Sequence, residues 1–141
     1  MKKNKIIGYT DGVYDLFHVG HLNLIKEAKK HCDYLIVGVT TDELCLKKKK
    51  KLPVIPEKDR MEIVSSIKYV DEVIPQENMN KYEIVKKYHI NRVFVGSDWK
   101  GSDAWKEYEK QFAELGCVVI YFEHTEGISS TILRERLNDR Q

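Results

Sequence analysis

The 141 residues predict an α/β fold: a doubly wound, mostly parallel five-stranded sheet flanked by helices. Two observations carry this. Short apolar runs of strand length alternate with stretches whose apolar residues recur every three or four positions, the alternation that builds parallel sheets covered on both faces. In addition, three segments rich in reactive side chains each follow one of the apolar runs, and sheets of this kind collect ligands outside the carboxyl ends of their strands.

Taken in order, Ile6 to Thr10 is a short apolar run that suits a central buried strand. A Gly-containing loop leads to a helix from Val19 to His31, with Leu22, Leu24, Ile25 and Ala28 on its apolar side and Lys26, Glu27, Lys29 and Lys30 opposite. Tyr34 to Val39 is the most strand-like run in the chain, and strand, helix, strand in this order makes a right-handed parallel unit. A helix starts near Thr40 to Glu43, with Thr and Asp available as caps, and runs into five consecutive lysines, Lys47 to Lys51. Two prolines hold Leu52 to Pro56 extended. Glu57 to Tyr69 is helical, Val70 to Ile74 is a strand closed by Pro75, and Asn80 to His89 is helical again. Ile90 to Val95 is a strand, Asp103 to Leu115 an amphipathic helix, Cys117 to Phe122 the last strand, and Ser129 to Leu137 the last helix. With no repeat or linker and enough length for one core, residues 1–141 read as a single Rossmann-like domain.

Composition narrows the function classes. A formal net charge of +2 is too small to imply a nucleic acid or an anionic membrane as partner, and the lysine run lacks interleaved aromatics. Cys32, Cys45 and Cys117 form no C-x-x-C pair and are odd in number, so they read as reduced thiols of a cytoplasmic protein. The apolar stretch after the basic Met1 to Lys5 is too short for a signal peptide, and no run approaches the length of a membrane span.

The chemistry concentrates in Gly12-Val13-Tyr14-Asp15-Leu16-Phe17-His18-Val19-Gly20-His21. The first N–H groups of a helix attract anions. His18 and His21, three apart, share one face of the first turn, and Gly20 between them lets a phosphate approach the backbone. Two neighbouring imidazoles there could stabilise charge growing on phosphorus oxygens. They also read as partly buried histidines capping a helix; a zinc pair would need further ligands, and no other His or Cys has matching spacing.

His18-Val19-Gly20-His21 resembles the H-x-G-H signature of the nucleotidyltransferase superfamily. Thr125-Glu126-Gly127-Ile128-Ser129-Ser130-Thr131 resembles the R-T-E-G-I-S-T-T signature of its small cytidylyltransferases, in the order and separation that family shows. The likeness spans nearly the whole chain and is greatest to the glycerol-3-phosphate branch. It implies in-line attack of a phosphorylated small alcohol on the α-phosphorus of CTP, with pyrophosphate leaving. It further implies Mg2+ held mainly by the phosphates, with no direct protein ligand, and a homodimer.

The resemblance assigns roles by position. His18, His21, Asp15 and Lys48 become catalytic, with Asp15 orienting a histidine or lying near magnesium; an aspartate there is also an ordinary turn residue. Gly12, Val13, Tyr14, Gly20 and Gly96 border the nucleotide. Asp98 matches the second aspartate of the family's G-D-D-W and would accept from cytosine's amino group, which uracil lacks; Trp99 packs on the base or in the core. His124, Thr125, Gly127, Ile128, Ser129 and Ser130 bind the nucleotide, the two serines and the helix start holding the triphosphate while also being ordinary helix caps. Lys48 and Lys50 match lysines that reach over substrate and triphosphate, against the reading of the run as a solvated loop. Arg60 matches an arginine that binds the acceptor phosphate, against a surface salt bridge with Glu57.

Two departures bear on the acceptor and on CTP. His124 replaces the family's arginine, a fixed positive charge, with a group that can be neutral at pH 7. Asp11-Gly12-Val13-Tyr14-Asp15 is closer to the D-G-x-Y-D of choline- and ethanolamine-phosphate cytidylyltransferases than to the bacterial G-T-F-D. Glycerol 3-phosphate is the leading acceptor, with phosphoethanolamine, phosphocholine and a polyol phosphate as alternatives. A non-catalytic CTP-binding module and an ATP-using adenylyltransferase are the other classes.

Overall fold

A computed structural model describes residues 5–123 and 135–137. The strands are β1 (Ile7–Gly12), β2 (Tyr34–Thr40), β3 (Glu72–Gln76), β4 (Arg92–Gly96) and β5 (Val118–Phe122). The helices are α1 (Val19–Lys29), α2 (Asp42–Lys49), α3 (Glu57–Ser65), α4 (Lys81–Tyr88) and α5 (Asp103–Ala113). All five strands are parallel, in the order β3-β2-β1-β4-β5. The chain therefore winds outward from β1 in one direction, then restarts at β4 and winds in the other.

The period-two alternation of β2 splits the core. Leu35, Val37 and Val39 face α1 and α3, packing with Ile25, Ala28 and Val64. Ile36 points the opposite way, into a cluster with Tyr9, Val85, Val93, Trp105 and Phe112 from the α4 and α5 side. Helices thus cover both faces, as expected for a parallel sheet.

The register creates the cleft. β1 and β4 pair only at Gly8–Arg92 and Tyr9–Val93. Beyond that, β1 stays on β2 as far as Gly12–Val39, while β4 stays on β5 as far as Gly96–Phe122. The two central strands separate at their carboxyl ends, where the strand order reverses.

Several boundaries differ from the sequence expectation for local reasons. β1 runs two residues further, carrying Asp11 and Gly12 on the strand. α3 stops at Ser65 rather than Tyr69, because the Ser65 and Ser66 hydroxyls both donate to the Glu62 carbonyl, at 2.8 and 2.9 Å, and compete with the helical ladder. β3 continues through Pro75 to Gln76 instead of ending before it. That is possible because β3 is an edge strand, where a missing N–H costs no ladder bond. Thr41 caps α2 by accepting from Leu44 N at 3.1 Å. Of the expected last helix, residues 135–137 are helical and the others lie outside the described residues.

Candidate active site

A cavity of about 610 Å³ occupies the gap between β1 and β4. Its walls are Thr10 to Tyr14 from the end of β1, His18, Gly20, His21, Asn23, Leu24 and Glu27 from α1, and Val95, Gly96, Trp99, Phe122 and Glu123 from the far side. Gly12, Val13, Tyr14, His18, Gly20, His21 and Gly96 are thus brought together on one surface, as the sequence predicts.

The histidines cap α1 reciprocally. His18 Nδ1 accepts from Gly20 N at 3.0 Å, and His21 Nδ1 accepts from His18 N at 3.1 Å. This is a capping box built of imidazoles in place of the usual Ser and Glu. The rings stack at 3.9 Å between centroids. Burial draws the His21 pKa down to about 4, the adjacent His18 adding to this and Asp15 opposing it; burial also lowers that of His18. Both rings are therefore neutral at pH 7. Since each Nδ1 is an acceptor, each proton resides on Nε2. Helix capping and a place on the cavity wall are one arrangement, not competing ones.

The loop that delivers them is strained. Tyr14 and Leu16 adopt left-handed backbone, φ 57° and 50°, although neither is glycine. Packing holds the conformation: the Tyr14 ring is buried and meets His21 edge-on at 5.4 Å, with Phe17 5.1 Å from the same imidazole. A Cβ at Gly12 would crowd the Tyr14 ring at 3.2 Å, so a larger residue there would push that buried ring aside by a few tenths of an ångström.

Asp15 is buried and accepts from Val54 N and Ile55 N, both at 2.9 Å. It ties the histidine loop to the extended segment after the lysine run. Lys48 and Lys50 are exposed and stand off the cavity wall, Lys48 in the last turn of α2 and Lys50 as its left-handed C-cap at φ 55°. Asp98 is exposed in a single 3-10 turn, Ser97–Trp99, outside the wall. Trp99 is 55% exposed at the cavity rim, so it belongs to the cavity and not to the core.

Arg60 differs most from expectation. Its side chain is wholly buried and does not line the cavity. It donates to the carbonyls of Ile55 at 2.8 Å, Val13 at 2.7 Å and Thr40 at 2.7 Å, and to Asp42 Oδ1 at 2.5 Å. Four of the five guanidinium N–H groups are thereby used inside the protein. The side chain therefore lies off the cavity wall, not at the surface where an acceptor phosphate was expected to meet it, and its acidic partner is Asp42 rather than the expected Glu57. Glu57 instead accepts from Asp42 N at 2.8 Å.

Sequence reasoning missed a buried polar network beneath the cavity. Lys81 Nζ lies 2.6 Å from Asp11 Oδ2, Gln76 Nε2 donates to the same oxygen at 3.1 Å, and Thr40 Oγ1 donates to Gln76 Oε1 at 2.8 Å. The available signal was a lysine in the first turn of a helix, opposed by the helix dipole unless an anion faces it.

Among the described residues, no three His, Cys, Asp or Glu side chains group as a metal cage, and no helix is long and apolar enough to cross a membrane. The expected nucleotide-binding residues His124, Thr125, Gly127, Ile128, Ser129 and Ser130 lie outside the described residues.

A cytidylyltransferase-like family model matches residues 9–136. The chain is 43% identical over 133 residues, 93% of its own length and 95% of the relative's, to the glycerol-3-phosphate cytidylyltransferase of Bacillus spizizenii. It is 37% identical to the ethanolamine-phosphate cytidylyltransferase of Dictyostelium discoideum, matching 99% of this chain but 40% of that one. A lipopolysaccharide core biosynthesis protein from Thermoplasma volcanium superposes with a TM-score of 0.71 at 28% identity, covering 86% of this chain and 98% of that one.

Proposed function

We propose that this chain, which belongs to the cytidylyltransferase-like family, joins CTP to glycerol 3-phosphate, giving CDP-glycerol and pyrophosphate. The observation that carries the reading is the pair of neutral, stacked imidazoles on the cavity wall with both Nδ1 atoms occupied by backbone N–H. Two fixed Nε2–H donors suit a phosphorus whose equatorial oxygens gain charge as the acceptor phosphate attacks in line and pyrophosphate departs. No covalent nucleophile is required.

The lysine run, at Lys48 and Lys50, supplies cations to the phosphates, and the 124–130 segment holds the triphosphate. Asp98, one residue from the rim tryptophan, accepts from cytosine's amino group. Asp11 does not favour an ammonium-bearing acceptor, because Lys81 already neutralises it at 2.6 Å. Magnesium enters with the triphosphate and offsets its charge. The protein works in the cytoplasm as a homodimer.

The test is pyrophosphate release with CTP and magnesium across glycerol 3-phosphate, phosphoethanolamine, phosphocholine and a pentitol phosphate, with UTP and ATP as controls. Turnover restricted to CTP and glycerol 3-phosphate is the expected result. CTP binding without release from any acceptor would favour a sensing module. His18→Ala or His21→Ala retaining near wild-type turnover while folded would refute the mechanism.

A further inference from the structure

We infer that Arg60 is a positioning residue that locks the lysine run onto the histidine loop. Its guanidinium bonds three separate pieces of chain at once: Val13 O in the loop before the histidines, Thr40 O and Asp42 at the start of α2, and Ile55 O in the segment after the lysines. Asp15 closes the same seam from the other side by accepting from Val54 N and Ile55 N. The seam is reinforced where Asp42 and Glu57 each accept from the other's backbone N–H, at 3.2 and 2.8 Å.

The lysine run is thus anchored at both ends. α2 is fixed where it begins, by Arg60 on Asp42 and Thr40, and the chain is fixed again at Val54 and Ile55. Lys51 is three residues before Val54, a reach of at most about 10 Å. Asp15 is three residues before His18. The lysines are exposed and are not among the lining residues, so it is this seam that ties the segment carrying them to the loop carrying the imidazoles. A buried arginine that bonds carbonyls of three segments and one carboxylate suits that task better than a lysine, because its planar fork fixes several directions at once.

The inference rests on the proposal that the lysines serve the phosphates, and a double-mutant cycle separates the two. Arg60→Lys keeps the charge and loses the fork. Lys48→Ala with Lys50→Ala removes what Arg60 is held to position. Asp42→Asn provides a second, milder lesion of the seam should Arg60→Lys fold poorly by circular dichroism. Hydrogen exchange at the Val54 and Ile55 amides reports the seam without any turnover.

The expected result is a loss in kcat of tenfold or more for Arg60→Lys, shrinking to less than twofold when the lysines are already absent. Exchange at Val54 and Ile55 should quicken at least tenfold while β1 and β2 amides stay protected. Multiplicative losses in kcat, or unchanged exchange at those amides, would overturn the inference. If the wild type turns over no CTP, the proposed function fails, and the exchange experiment alone decides whether the seam exists.

Discussion

Replacing Lys81 by Met should destabilise the protein by about 2–4 kcal/mol, and the structure fixes why. The Lys81 side chain is 6% exposed and its ammonium lies 2.6 Å from Asp11, itself 17% exposed. Removing one partner of a buried ion pair costs about 3–5 kcal/mol, because the remaining charge is left in a poor solvent. Here the loss is moderated, since Asp11 keeps its 3.1 Å bond from Gln76 and opens partly on the cavity. Methionine also forfeits the cation–π contacts of Lys81 with Trp105 and Tyr108, at 5.5 and 6.0 Å, which adds up to about 1 kcal/mol. For a domain of this size the expected fall in Tm is about 5–15 °C. Urea unfolding followed by circular dichroism at pH 7 gives the difference directly, with an unchanged slope if only stability has moved. Asp11→Asn should be costly for the mirror-image reason. The double variant should then be more stable than the sum of the singles by about 2 kcal/mol or more. A single Lys81→Met loss below about 0.5 kcal/mol, or strictly additive singles, would refute the view that the two charges depend on each other.

Further outcomes follow from the same geometry. His21 should titrate near 4 by NMR, well below the ordinary 6.5. Between those values the unfolded chain binds more protons, so the stability contribution is full above about 6.5 and declines as pH falls toward 4. Denaturation midpoints at pH 7 and pH 5 test it, and His21→Gln should narrow the gap between them. Gly38→Ala should cost about 1–3 kcal/mol, because its Cβ would sit 2.2 Å from the Tyr9 hydroxyl; Tyr9→Phe in the same chain should recover part of the loss on urea unfolding. Of the two tryptophans, Trp99 is at the cavity rim and Trp105 is buried, so CTP should change the fluorescence of the wild type and leave Trp99→Phe unaffected.

The fold was largely legible because apolar periodicity reports which face of each element is covered. Strand and helix alternation alone gave the five strands, and the reversal of winding at β1 and β4 places the histidine loop where a cleft opens. What the pattern could not show was where polar partners meet. Asp11 appeared as a loop residue beyond the strand, yet it lies on β1 opposite Gly38 and faces a lysine seventy positions later. Arg60 illustrates the point most sharply. Locally it had one candidate partner, Glu57, at helical spacing; in the structure Asp42, from an earlier helix, takes the charge, and the other bonds go to the nearby Ile55 carbonyl and to two distant ones, Val13 and Thr40. Apolar burial is averaged over many residues and survives an error of two in a boundary. A buried ion pair depends on one atom of one side chain meeting one atom of another, and topology alone decides which residues those are. The same distinction separates the two halves of the candidate site. The imidazole pair is local, held by backbone N–H groups within three residues, and was readable from spacing. The lysine run, by contrast, is exposed off the cavity wall, and the bonds that tie its flanks to the histidine loop, made by Arg60 and Asp15, join segments far apart in sequence that no local spacing in the run announces.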